Sequence, residues 1–181
     1  RLLPALFAFF VQTPSTSGTF PYLQPCAFDT TYMGQTIKEV TFGGVFACLP
    51  VLWLLALAPE AIRMRIAQRS THTIAGVMGV LIASAIVVAL ADAELAGILQ
   101  RYYADFSVML LLVVVLVAFI FNERIDQQGQ AYGVAVKLLP MLVVLSLAYM
   151  LCLCFVAESD WYSDVYPWAY QCLVHAFQFW T

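Results

Sequence analysis

The residues with the clearest capacity for chemistry form one short run, Gln100-Arg101-Tyr102-Tyr103-Ala104-Asp105-Phe106. An arginine presents five N–H donors in a rigid planar fork that matches phosphate oxygens, and a tyrosine hydroxyl can add a donor beside it. If the run is already helical, Arg101 and Asp105 lie one turn apart on the same face and can pair. Two roles fit these residue types. One is anchorage: charged groups at the end of an apolar helix reach back to water, and aromatic rings settle at headgroup depth. The other is anion contact, with Arg101, Tyr102, Tyr103 and Asp105 holding a lipid phosphate or diphosphate and Asp105 steadying the guanidinium.

Other reactive residue types are present without the spacing that chemistry needs. Cys152 and Cys154 are two residues apart in an apolar stretch. On a helix they point about 200° from each other, so they cannot hold one metal ion together and read as small packing residues. Cys26 and Cys172 share one predicted side of the membrane and pair only if the compartment is oxidising. His72 and His175 have no second His, Cys or carboxylate at ligand spacing. There is no phosphate-binding glycine loop, no activated nucleophile motif and no pair of carboxylates in a shared apolar setting. The sequence therefore offers no catalytic residue, no metal ligands and no cofactor site, and the isolated chain is expected to be inactive.

The elements that must position these residues follow from composition. Of 181 residues, 63% are hydrophobic and 10% charged, with a mean hydropathy of +0.87. An average soluble domain is about one quarter charged, so this chain has too little polar surface for water and the bilayer is its expected partner. That excludes a soluble enzyme and a disordered regulator. The net charge is −3, and the basic residues cluster only as Arg63, Arg65 and Arg69, which argues against nucleic acid as a partner.

A membrane-spanning helix needs about 20 apolar residues. Four segments approach that length: 42–58, 73–91, 106–121 and 134–157. The predicted fold class is therefore all-α, a polytopic helical membrane protein forming a single region over 1–181. Residues 1–11 are apolar but short, and read as the end of a fifth span in a C-terminal fragment of a larger protein. Pro50 should kink the first full span by freeing a carbonyl one turn earlier, near Phe46. Gly76, Gly79, Ala83 and Ala85 are small enough to admit a neighbouring helix. Lys137 and Pro140 fall in the first turns of the last span, where both are tolerated. Residues 12–41, rich in Pro, Gly, Thr and aromatics, read as an ordered loop. Residues 158–181 hold three of the four Trp and read as an interfacial segment.

Basic residues orient the spans, because cytoplasmic loops retain Lys and Arg. Arg63, Arg65 and Arg69 share one side with Arg124 and Lys137. The other side has only Lys38 and Arg101, against Asp29, Glu39, Asp92, Glu94, Asp105, Glu158, Asp160 and Asp164. The Arg63–Arg69 loop is thus expected in the cytoplasm, with the C-terminus outside a multi-pass cell inner membrane.

The run RYYADF (101–106) leading into a Leu/Val span, preceded by FGGVFACLPVLW (42–53) after the Pro and aromatic loop, resembles the C-terminal part of large bacterial polytopic membrane proteins. These in turn resemble C-type-fold glycosyltransferases, and the likeness covers roughly residues 20 to 121. It implies a polyprenyl-phosphate-linked sugar donor used at the outer membrane face, with the catalytic carboxylate in an early outside loop that this chain does not contain. Only Arg101, Tyr102, Tyr103 and Asp105 match the family pattern, so the chain would supply scaffold and lipid-carrier contact to the remainder of the parent chain. A transporter or flippase segment, or a non-catalytic membrane subunit, are the alternatives.

Overall fold

The computed structural model describes residues 2–32, 35–67, 72–96, 98, 100–123, 130–156 and 164–178. Arg69, Arg124, Glu158, Asp160 and Trp161 lie outside them. The described chain is mainly helical and has three helices long and apolar enough to cross a membrane: His72–Leu95, Gln100–Asn122 and Lys137–Phe155. It is a helical membrane protein. In chain order the helices are α1 (Leu2–Phe10), α2 (Val45–Cys48), α3 (Ala58–Ala67), α4 (His72–Ala91), α5 (Tyr103–Asn122), α6 (Gln130–Phe155) and α7 (Pro167–Phe177). A π turn, Asp92–Ala96, prolongs α4, and a 3-10 turn, Gln100–Tyr102, leads into α5.

Of the four segments expected to span, three are such helices, and residues 42–58 form a broken element. Helix α2 stops at Leu49, whose φ of −126° and ψ of 75° are not helical, and Pro50 opens a 3-10 stretch, Pro50–Leu57, that runs into α3. The proline ring disfavours helical geometry at the residue before it and has no N–H to give, so the α-helical ladder cannot pass this point. Both polar groups that the break exposes find side chains. The Phe46 carbonyl accepts the Trp53 indole N–H at 3.1 Å, and the Val51 N–H donates to Ser146 Oγ at 3.1 Å. Ser146 lies in α6, and its own hydroxyl donates to the Leu142 carbonyl at 2.8 Å. In a bilayer these are the satisfactions that make a broken helix tolerable.

Residues 12–41 are not one irregular loop. They contain two antiparallel pairs, β1 (Ser15–Thr16) with β2 (Leu23–Gln24), and β3 (Cys26–Tyr32) with β4 (Gln35–Thr41), the longer pair in register from Cys26 opposite Thr41 to Tyr32 opposite Gln35. Thr30, Thr31, Thr36, Ile37, Val40 and Thr41 supply the β-branched residues that favour a pleated ribbon. Without alternation of apolar and polar positions, that preference was hidden behind the prolines and glycines.

The helices pack through small and aromatic residues. Phe9 of α1 meets Tyr103 edge-on at 5.4 Å between ring centroids and Phe106 at 5.8 Å, while Ala85 and Ala89 of α4 are buried in the same cluster. Gly76 and Gly79, expected to face a neighbour, are exposed, with open space where a Cβ would stand. Helix α6 begins earlier than expected, so Pro140 falls inside it. One end of the bundle collects the strands, the π turn and α7. Phe20 there stacks on Phe177 at 5.3 Å and meets Phe155 at 5.3 Å, and the Tyr22 hydroxyl donates to the Phe177 carbonyl at 2.6 Å. At the opposite end an ion pair between Arg65 and Glu123 joins α3 to α5.

Candidate functional site: a cleft between the broken element, α5 and α6

At the strand-bearing end the chain between β4 and α2 is held by a closed set of hydrogen bonds. Thr41 Oγ1 donates to Gln12 Oε1 at 2.7 Å, and the Gly44 N–H donates to the Gln12 carbonyl at 2.8 Å. The Phe42 N–H donates to Gln100 Oε1 at 3.0 Å, Gln100 Nε2 donates to Cys48 Sγ at 3.3 Å, and the Cys48 thiol donates to the Gly43 carbonyl at 3.3 Å. The Tyr149 hydroxyl closes the set on the Phe42 carbonyl. Two glycines make the crossing possible. Gly43 has φ of +122°, and a Cβ on Gly44 would come within 2.7 Å of the Phe10 carbonyl group. Buried polar atoms that satisfy one another in this way hold a shape, and this network is structural.

Beside it opens a cleft of about 340 Å³, with Cys48, Gln100, Arg101, Tyr103 and Ser107 among its walls. Arg101 is exposed at its rim. The guanidinium carbon stands 5.2 Å from the centroid of the Tyr102 ring, and Nη2 donates to the Tyr102 hydroxyl at 3.2 Å. A cation held on an aromatic face keeps its planar fork oriented at low entropic cost. Asp105 is exposed one turn further along the chain.

Tyr103 differs from its sequence reading. It is only 5% exposed, and its hydroxyl donates to the Ala8 carbonyl at 2.9 Å, so it braces α1 against α5 instead of joining Arg101 around a headgroup. Successive helical residues point about 100° apart, so of two adjacent tyrosines one faces outward and the other inward. Of the four residues named from sequence, Arg101 and Tyr102 are brought together, and Tyr103 contributes wall but not donor.

Below the cleft lies a second space of about 530 Å³, between the 3-10 stretch, α5 and α6. The two share Leu49 and Leu111 as walls. Along α5 the lining positions Ala104, Ser107, Leu111, Val114, Ala118 and Asn122 recur every three or four residues. Along α6, Leu139, Val143, Ser146, Met150 and Leu153 do the same. Each series is a single helix face, so the two spaces succeed one another along the trench between α5 and α6.

Sequence reading passed over Cys48, Ser146 and Tyr149. For Ser146 a signal existed, since a lone hydroxyl in the middle of an apolar span needs a partner. Gln100 opened the run singled out without being given a role, and nothing in the sequence tied it to Phe42 or Cys48. All five cysteines, Cys26 and Cys172 included, are free thiols. Among the described residues no group of three or more His, Cys, Asp or Glu is placed to hold a metal ion. The arrangement presents an arginine, held on an aromatic ring, beside an apolar surface. No protein-family model matches the chain, and neither does any curated protein or solved structure.

Proposed function

We propose that this chain is the membrane-embedded, lipid-carrier-facing segment of a glycosyltransferase that takes its sugar from a polyprenyl-phosphate-linked donor, with the catalytic loop elsewhere in the full-length protein. The observation that carries the reading is the Arg101 guanidinium, oriented by the Tyr102 ring at the rim of a cleft, with a second, apolar space further along the same helices. A donor of this class has one anionic phosphate or diphosphate joined to a long hydrocarbon, and the fork and the trench complement those two parts. In the proposed orientation the strand-bearing end lies outside the cell inner membrane and Arg63 and Arg65 face the cytoplasm, as retained positive charge favours. Labelling by an impermeant reagent of a cysteine placed at Arg63, in intact cells, would reverse that orientation.

The functional test is Arg101→Lys in the full-length protein, read as transfer rate and carrier affinity at equal membrane abundance. Lysine keeps the charge but loses the planar fork, and the expected loss is about 1 to 3 kcal/mol, the range of charge-assisted hydrogen bonds. Asp105→Asn should give a smaller loss in the same direction. Wild-type behaviour of Arg101→Lys would reduce the run to a helix anchor.

A transporter or flippase segment is the second reading, favoured by the break at Leu49-Pro50 beside the cleft, since broken helices mark substrate sites in such proteins. Movement of a lipid phosphate between the leaflets of sealed vesicles, without sugar transfer, would decide for it.

A further inference from the structure

We infer that Cys172 and His175 of α7 are half of a zinc site, completed by the same two residues of a second copy of this chain. The inference does not depend on the reading of Arg101.

The face of α7 that carries the pair is set by how the helix docks. Tyr170 and Phe177 both rest on the buried Phe20 ring, with centroids 6.1 and 5.3 Å away, and the Phe177 carbonyl accepts the Tyr22 hydroxyl. At about 100° per residue those two positions differ by only about 20° around the helix. On the same count Cys172 and His175 stand roughly 200° and 140° from Tyr170, so the pair lies opposite the docked face. Both side chains are exposed, and the Cys172 thiol is free. Trp168, roughly 160° from Tyr170 and 78% exposed, shares their stripe.

Sequence reading left His175 without a ligand partner, but the helix supplies one. Residues three apart lie one turn apart, with about 5 to 6 Å between Cβ atoms. Bonds of about 2.3 Å to sulfur and 2.0 Å to nitrogen close that gap around a single ion, which Cys152 and Cys154, on opposite sides of α6, cannot do. A thiolate beside an imidazole suits zinc and not magnesium or calcium, which take oxygen ligands. Each thiol gives up its proton on binding and each imidazole binds neutral. Two such pairs on one Zn²⁺ therefore release two protons and leave a site without net charge.

The number of ligands decides what completes it. Zinc in a closed site takes four. One chain offers two, and among the described residues no group of three or more His, Cys, Asp or Glu comes together. A second copy brings the missing two across a two-fold axis, because each copy presents the same stripe. Trp168, one turn before Cys172, then packs across that axis.

The experiment uses the full-length protein in detergent with a phosphine reductant, Co²⁺ as the spectroscopic probe and Zn²⁺ as its competitor. The expected result is a thiolate-to-cobalt band with the visible bands of a tetrahedral site, saturating at one ion per two chains. Light scattering should show a dimer that a chelator returns to monomer. Cys172→Ser and His175→Gln should each weaken cobalt binding by more than roughly 100-fold, since even an outer-shell partner is worth up to that. Cys154→Ser removes an exposed thiol with no His one turn away, and should change nothing. Two ligand variants guard against one failing to fold.

Cobalt bound without the thiolate band, saturation at one ion per chain, or binding indifferent to both ligand variants would overturn the inference. A dimer that forms only without the reductant and resists the chelator would be a Cys172 disulfide, which also overturns it. Protein that binds no cobalt and stays monomeric would leave the stripe to the headgroups, with Trp168 as its anchor.

Discussion

Helix α5 has two faces of nearly the same composition and opposite fates. Phe106, Leu110, Val113, Val117 and Ile120 are all buried against α1, α3 and α4. On the other side, Ala104, Ser107, Leu111, Val115 and Ala118 line the trench toward α6. Both sets recur at helical spacing, and both are apolar. The packed face meets the small residues of α4, where Ala85 and Ala89 let the backbones approach. The trench face meets α6 across the broken element, whose Leu49 and Val51 stand between the two helices. Close approach on one side and a spacer on the other leave one apolar cylinder packed on one face and open on the other.

The largest effect expected from breaking this contrast is at the spacer. Gly44→Ala puts a Cβ within 2.7 Å of the Phe10 backbone, which cannot retreat without unseating α1. A loss on the order of 4 kcal/mol and a collapse in the amount of folded protein are expected. Gly79→Ala meets open space and should stabilise by up to about 1 kcal/mol through helix propensity. Thermal unfolding of the two variants in detergent makes the comparison, and equal stability would refute the packing at Gly44.

The next contrast is between the faces of α5. Phe106→Ala leaves a void in the aromatic cluster with Phe9 and Phe10 and should cost on the order of 2 kcal/mol or more, even where lipid replaces water as the reference. Val115→Ala, on the half-exposed trench rim, should cost under about 0.5 kcal/mol. Chemical unfolding separates them, and a larger loss for Val115→Ala would exchange the roles of the faces.

Smaller still is the effect at the break itself. Ser146→Ala leaves the Val51 N–H without its acceptor, at a cost of about 1 to 2 kcal/mol. Amide exchange at Val51 should quicken while that at Phe106 stays as it was. Unchanged exchange at both would mean that Ser146 does not hold the break.

Some of this was written in the sequence. The apolar lengths of 73–91, 106–121 and 134–157 produced helices because, away from water, a backbone must satisfy its own hydrogen bonds. Pro50 announced a kink where the structure has a break, and Phe46 was the carbonyl it would free. The sequence set Arg101 against Asp105 with both tyrosines beside it, and of these the contact with the adjacent Tyr102 is the one that the structure forms at the helix start.

The rest belongs to contacts between residues far apart in the chain. How the break at Pro50 was satisfied depended on Ser146, 95 positions beyond Val51, accepting an orphaned N–H. Which tyrosine turned inward depended on the Ala8 carbonyl meeting Tyr103. Which face of α5 packed and which opened depended on where α4 and the broken element came to lie. In a helix apolar on every side, hydrophobicity no longer distinguishes the faces, and shape between neighbours decides.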